Sequence, residues 1–589
     1  MSNNDIGNSF DHAERIGVIG SPSSTHSLSI DILASAVDKR LVGGLFVFKF
    51  IQDGHDHYAL GQITEIRLKN VWSEDPTMRI LIRHKGRVEP ITERQDTHTA
   101  LMFVSAVFAN TKNGFEPSML GTVPPTGTSV KLVNESIMQN LLARYRREVF
   151  YLGYVYGANI LLPMWFKHFG NEEGGAGEAY HIGIFGKTGS GKSVLAKMML
   201  LAYAKHRQLT IFVLDPQGEF AKLKDEHPML GTLLMKKIKV YNLHNLILTS
   251  NELFKKILVM SGFLERIGIY HEDNKARAAA QIDLILRGKI NGTRITKNWE
   301  QNGSKTNIKQ SPNKWYRRET FDAIIEKLKE EKILLRIYGG MEYRDRVRSL
   351  LEGNHEELYD LWAKVANLFT FDGKSKIESV TIDDLIKSVT EAAKGHIIII
   401  DLSETDVPSN ILWTDEVRML VINEFLSSLK EHAQQVYKQG KMLNTLVVID
   451  EAHRLAPREK PDNPELERVK NTLKDAVRTT RKFGLGWMFI SQTLSSLDKE
   501  IIDQIRIYIF GFGLAYGSEL YALKEIIGGN EEAIRLYQTF KDPQSVLGYK
   551  EYSFMSIGPI SPLSFSGAPL FFKALHYPNE FIEKNTTKR

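Results

Sequence analysis

Eight consecutive residues, Gly186-Lys187-Thr188-Gly189-Ser190-Gly191-Lys192-Ser193, follow the pattern G-x-x-x-x-G-K-[ST]. Glycine lets the backbone curl so that successive N–H groups point inward around a phosphate. A helix starting near Gly191 adds the positive end of its dipole. In this arrangement Lys192 reaches the β- and γ-phosphates and the Ser193 hydroxyl ligates Mg²⁺. The residues expected to hold ATP are Gly186, Lys187, Thr188, Gly189, Ser190, Gly191, Lys192, Ser193 and Val194.

Such a site needs an acidic residue at the end of another buried strand. The run TLVVID, followed by Glu451, supplies it. Asp450 is expected to hold the magnesium through its water shell, and Glu451 to polarise the attacking water as general base. A third strand end reads Leu214-Asp215-Pro216-Gln217-Gly218-Glu219. Asp215 and Glu219 either tune the site or cap the next segment. A fourth is Ser491-Gln492, where Gln492 can sense the γ-phosphate or orient water.

Arginines come next. Arg478-Thr479-Thr480-Arg481-Lys482-Phe483-Gly484 ends a predicted helix with basic residues and a terminating glycine, which is ordinary dipole chemistry. Equally, Arg478 or Arg481 could reach the γ-phosphate of a neighbouring subunit, since a guanidinium has fixed charge and planar donors. Residues 291–318 carry seven basic residues (Arg294, Lys297, Lys305, Lys309, Lys314, Arg317, Arg318) against the single Glu300, with Trp299, Trp315 and Tyr316 interleaved. That composition suits either a basic surface loop or backbone tracking with base stacking on nucleic acid. A shorter basic loop, His453, Arg454, Arg458 and Lys460, could line a pore or lie on the surface. Asp53-Gly54-His55-Asp56-His57 reads as a polar hairpin turn rather than a metal site.

The elements that position these groups follow from apolar runs. HIGIF, LTIFVLD, HIIIIDL, TLVVID, GWMFIS and IRIYIFGFG alternate with helical text, predicting a parallel sheet covered on both faces. About 180 residues separate the second run from the third, too many for a loop, so a mostly helical insertion is predicted at 245–390. From Ile16 to Val133, short Val-, Ile- and Phe-rich runs broken by Gly, Asp and Asn predict a small β-barrel or sandwich. The expected divisions are a flexible N-terminus (1–13), a barrel (14–132), a linker (133–180) with helical text over Asn134–Tyr156, an ATPase core (181–244 and 391–515), the insertion, and a C-terminal extension (516–589).

Of the 589 residues, 42% are hydrophobic and 25% charged, which excludes a wholly disordered or fibrous chain. The net charge of +6 is too mild to indicate nucleic acid by itself. With no cysteine, thiolate zinc sites, iron–sulfur clusters and a cysteine nucleophile are excluded. Neither a stretch of ~18 apolar residues nor a secretory leader is seen, so a cytoplasmic location without membrane contact is expected.

Taken together, RIGVIGSPSS, LVGGLFVFKF and LGQITEI, then HIGIFGKTGSGKS, VLDPQGEF, LVVIDEAHRLAP and RKFGLGWMFISQTLSSL, resemble the HerA family of hexameric DNA translocases within the HerA–FtsK group of P-loop ATPases. The resemblance implies an α/β RecA-like core behind an N-terminal barrel, and a homo-hexamer with ATP and Mg²⁺ between subunits and double-stranded DNA through its centre. It implies that Lys192 and Ser193 bind nucleotide, Asp450 and Glu451 serve metal and water, Gln492 is the sensor, and Arg478 or Arg481 the arginine finger. It also implies a partner docked on the barrel: a NurA-like nuclease in DNA end processing and repair, or an antiviral-defence effector such as a sirtuin-like NAD-consuming enzyme. The expected activity is an ATPase that translocates on or unwinds DNA. The alternative is an ATP-dependent scaffold ring that activates its effector. A two-domain DEAD/DEAH helicase is disfavoured because no Q-x-x-G-R-x-G-R stretch occurs, and a conjugation ATPase because no membrane segment is seen.

Overall fold

The protein is described here from a computed structural model, which covers residues 4–586 except 87–94, 173, 231–232, 234–235, 287–314, 354, 371–379, 404–406, 529, 546–547, 549 and 565–566. The N-terminal strands are β1 (Arg15–Ile19), β2 (Ser27–Ile32), β3 (Leu45–Gln52), β4 (His55–Asn70), β5 (Asp96–Thr111), β6 (Gly114–Ser118) and β7 (Ser129–Leu132). They run β2-β1-β7-β3-β4-β5, and β2 pairs again with β5, closing a six-stranded barrel with β6 added on β5. Closure removes the unpaired edges that an open sheet would expose. Asp53 and Gly54, both at positive φ, turn β3 into β4, and among the described residues no group of three metal-ligating side chains forms there or elsewhere.

The main sheet is built from β8 (Val149–Val155), β9 (Leu161–Trp165), β10 (His181–Phe185), β11 (Thr210–Asp215), β12 (Ile238–Asn242), β15 (Ile397–Asp401), β16 (Thr445–Ile449), β17 (Leu485–Ser491), β18 (Ile505–Phe510), β19 (Ser553–Ile557) and β20 (Leu570–Ala574). A separate two-stranded pair joins β13 (Leu246–Ile247) to β14 (Val380–Thr381). The main order is β12-β15-β11-β16-β17-β10-β18-β19-β20-β8-β9. The first seven are mutually parallel and the last four antiparallel.

Every residue of β10, β11, β16 and β17 is buried, which explains their unbroken apolar text. Successive residues face opposite layers. Ile211, Val213, Val448 and Ile490 pack with the helix Lys192–Ala204, whereas Phe212, Leu214, Val447 and Phe489 pack with the inserted helices. The helices of the insertion share that second layer's core; Phe254 and Trp362 are fully buried in it. This is a RecA-like core behind a barrel, with a helical insertion between β12 and β15.

Three expectations need correction. Residues 4–11 do not fray: Asn4–Asp11 is a helix whose Ile6 and Phe10 are buried, and Lys131 Nζ donates to the Phe10 carbonyl at 2.8 Å. Residues 134–156 are helical only over Glu135–Leu141. The stretch expected as linker supplies β8 and β9, and the Val, Phe and Tyr residues of β8 suit a strand. The C-terminal stretch is likewise part of the main sheet, since β19 and β20 join β18 to β8. This wing carries the barrel: the buried Gln62 carboxamide accepts from Phe571 N at 2.8 Å and donates to Phe571 O at 3.1 Å.

The basic stretch 291–318 lies largely outside the described residues, Arg294, Lys297, Trp299, Lys305, Lys309 and Lys314 included. Trp315 stands at its described end. Its ring packs 5.0 Å from that of Phe254, and its carbonyl accepts from Trp362 Nε1 at 2.6 Å. Arg318 is paired with Asp322 at 3.1 Å and Glu356 at 2.9 Å. Among the described residues no helix is long and apolar enough to cross a membrane.

Candidate functional site

The loop Gly186–Gly191 joins β10 to the helix Lys192–Ala204 at the carboxyl edge of the parallel strands, where α/β sheets bind ligands. It is stitched to both neighbouring strand ends. Gly186 N donates to Ser491 O at 3.3 Å, and Lys187 N to Phe512 O at 2.9 Å. Gly191 stands before the helix at φ 87°, a left-handed conformation that favours glycine. A Cβ there would fall 2.4 Å from Tyr552 Cγ, and one at Gly189 would fall 2.3 Å from Gln544 Nε2. Gln544 and Tyr552 were not identified from the sequence, because no local pattern ties a C-terminal residue to a loop more than 350 positions earlier.

Lys192 is buried, and its Nζ donates to Lys187 O at 3.2 Å. Burial pushes its ammonium below the usual range, while Glu451, Asp450 and Glu219 pull it back up. Ser190 is buried too, and its hydroxyl has no hydrogen-bond partner among the described residues. Thr188 Oγ1 donates to Gln492 Oε1 at 3.1 Å. Ser193 and Val194 are half-buried on the first turn of the helix.

β17 lies between β10 and β16, so Gln492 emerges between the loop and the acidic pair. Gln492 Nε2 donates to Glu451 Oε1 at 2.6 Å, and Gln217 Nε2 reaches the same oxygen at 3.4 Å. Glu451 Oε2 is buried and accepts no hydrogen bond from any described residue, although His453 Nδ1 is 3.4 Å away. Glu451 holds φ 47°, ψ 46°, an unfavourable backbone region for a side chain of its size. Asp450 is pushed up to about 7, first by burial and then by the unneutralised charges of Glu451, Asp215 and Glu219. Asp450, Glu451, Asp215 and Glu219 gather negative charge beside the Lys192 ammonium, which suits a divalent metal. Asp450 and the Ser193 hydroxyl therefore fit Mg²⁺, which keeps several waters and takes phosphate oxygens as ligands, so no cluster of three protein carboxylates is required.

Two readings left open gain detail. Asp215 caps the next segment, its carboxylate accepting from Glu219 N at 3.1 Å, Phe220 N at 2.8 Å and Ala221 N at 3.0 Å, and its charge also acts on Asp450. In the basic loop, His453 turns inward, 3.2 Å from Ser491 Oγ, while Arg454, Arg458 and Lys460 stay exposed. Burial lowers the His453 pKa against the pull of Glu451. Gln217 and His453 thus join the site; both lie inside motifs already singled out, Gln217 two residues beyond Asp215 and His453 two beyond Glu451.

Arg478 and Arg481 are not brought to this site. Both precede β17, at the amino edge of the sheet, whereas Gln492 follows it; the seven residues between span roughly 20 Å. Arg481 pairs with Glu178 at 3.2 Å and Arg478 with Asp475 at 3.4 Å, and both side chains are well exposed.

Residues 179–428 match the family model described as Helicase HerA, central domain. No curated protein matches the chain. Among solved structures, VirB4 of Thermoanaerobacter pseudethanolicus is similar at 17% identity, covering 74% of this chain and 98% of its own, with a TM-score of 0.37. The genome packaging NTPase B204 of Sulfolobus turreted icosahedral virus 2, in complex with AMPPCP, is similar at 12% identity over 67% and 98%, TM-score 0.28. The bacterial conjugative coupling protein TrwBdeltaN70 follows at 15% identity over 56% and 67%, TM-score 0.25.

Proposed function

We propose that the chain, whose residues 179–428 match the central domain of Helicase HerA, is a HerA-type P-loop ATPase and a ring-forming ATP-driven motor on double-stranded DNA. The observation that carries this is the convergence of Lys192, Glu451 and Gln492 at one edge of the sheet, with Glu451 Oε2 accepting no hydrogen bond among the described residues. A triphosphate in the loop meets the backbone N–H groups of 187–193 and the Lys192 ammonium. Mg²⁺, held through Ser193 and Asp450, supplies further charge neutralisation when bound. Glu451 Oε2 takes the proton of the attacking water, and Gln492 holds the opposite carboxylate oxygen so that Oε2 faces the reactants. The arginines at the far edge are too distant to serve their own subunit's nucleotide, which favours Arg478 or Arg481 acting on a neighbour's.

Six subunits, a DNA-filled centre, a cytoplasmic location and a nuclease or defence effector docked on the barrel complete the proposal. The test combines light scattering for subunit number with ATP turnover and strand displacement on duplex DNA, for wild type and Glu451→Gln. Turnover stimulated by duplex DNA, abolished together with strand displacement in the variant, supports the motor. A ring that does not respond to DNA, yet activates a co-purified effector equally in the variant, overturns it in favour of a scaffold.

A further inference from the structure

The turn after Gln492 is held by a carboxylate from a different part of the chain. Glu519 sits in the first turn of the helix Gly517–Ile527 and is only 7% exposed. Its Oε2 accepts from Leu494 N at 2.7 Å, and its Oε1 accepts from Ser495 N at 3.3 Å and from the Ser495 hydroxyl. No cation neutralises it among these contacts; its charge is met by two main-chain N–H groups, one hydroxyl and the positive end of its own helix. The Leu494 side chain, between Gln492 and this anchor, is fully buried. The Gln492 carboxamide, two residues before the first anchored N–H, is therefore aimed at Glu451 from a fixed base.

We propose that Glu519 is a positioning residue for hydrolysis: it fixes the turn 493–495 and so sets the angle at which Gln492 meets Glu451, without touching nucleotide. This rests on the reading of Gln492 and Glu451 as hydrolytic partners. Misplacing a catalytic group by about 1 Å costs up to about 100-fold in rate. Removing Glu519 should therefore lower turnover and leave nucleotide affinity nearly intact, because the loop 186–193 is held by β10, β17 and Phe512 rather than by this turn.

The experiment is a double-mutant cycle on the full-length protein with ATP, reading kcat and KM separately. Glu519→Ala should lower kcat by about 10- to 100-fold with KM within about twofold, and Glu519→Gln, which keeps one acceptor, should recover part of the loss. In a Gln492→Ala background, adding Glu519→Ala should cost little more, since both changes remove the same alignment. Should Glu519→Ala fail to fold, Ser495→Ala removes the hydroxyl donor and takes its place in the cycle. Multiplicative losses in the double mutant, or an effect confined to KM or melting temperature, overturn the proposal alone. Wild-type turnover of Gln492→Ala overturns the hydrolytic reading of Gln492, and this proposal with it.

Discussion

Gln492 Nε2 and Glu451 Oε1 are 2.6 Å apart, although 41 positions separate them in the chain. One follows β17, the other follows β16, and the pairing of those strands, Ile449 beside Phe489, brings their tips together. Burial of Glu451 makes this contact matter: a carboxylate removed from water and bonded on one oxygen presents the other as a directed base.

Glu451→Gln preserves shape and removes the proposed base. ATP turnover should fall by about 100-fold or more, while binding of a fluorescent ATP analogue stays within a few-fold of wild type. Lys192→Ala should lose both, because its ammonium is the group proposed to meet the phosphates. Wild-type turnover in either variant contradicts the assignment.

Gly191→Ala meets two penalties at once. Its φ of 87° costs an L-residue roughly 1–2 kcal/mol, and the added Cβ would fall 2.4 Å from Tyr552 Cγ. A lower melting temperature and loss of ATP binding are expected. Gly191→Ala combined with Tyr552→Ala should recover part of the stability but not the backbone strain. Calorimetry and nucleotide titration check both.

Arg478→Ala and Arg481→Ala should spare nucleotide binding, since each lies at the opposite edge of the sheet from its own loop. If one of them acts across an interface, that variant hydrolyses slowly. Mixing it with Lys192→Ala subunits should then restore turnover at the interfaces that pair an intact arginine with an intact loop. No recovery in mixed rings for either arginine excludes action in trans.

Acid should destabilise the core through His181. Its Nε2 lies 2.9 Å from Val477 O and its Nδ1 accepts from Trp487 N at 3.3 Å, an arrangement for the neutral ring; burial pushes its pKa down to about 4. Between that value and the unfolded ~6.5, the unfolded chain binds a proton that the folded chain does not, so stability falls as pH drops. The loss from this residue approaches about 3 kcal/mol below pH 4. Urea midpoints measured from pH 7 to 4 should decline, and His181→Gln should flatten the decline. An equal slope in the variant contradicts this account.

The phosphate loop, the acidic pair and the strand-ending Gln492 are legible in the sequence because each is a short pattern tied to a short backbone conformation. The six apolar runs expected as strands likewise form strands of the main sheet, since burial on both faces leaves no room for polar residues. Less legible is β12, an edge strand whose partly exposed residues carry weaker apolar text. The four antiparallel strands that widen the sheet were not foreseen, because β8 and β9 precede the core and β19 and β20 follow it.

By itself, the order of residues determined which groups could meet a phosphate and which could take a proton, because those properties belong to side-chain chemistry and local spacing. Only the tertiary structure decided which of them meet. It set Asp215 to capping, turned His453 inward, packed Tyr552 against Gly191, anchored the turn after Gln492 on Glu519, and put Arg478 and Arg481 at the far edge. The physical reason is that long-range contacts depend on strand order and register, which arise from the burial of the whole core rather than from any neighbouring stretch of sequence.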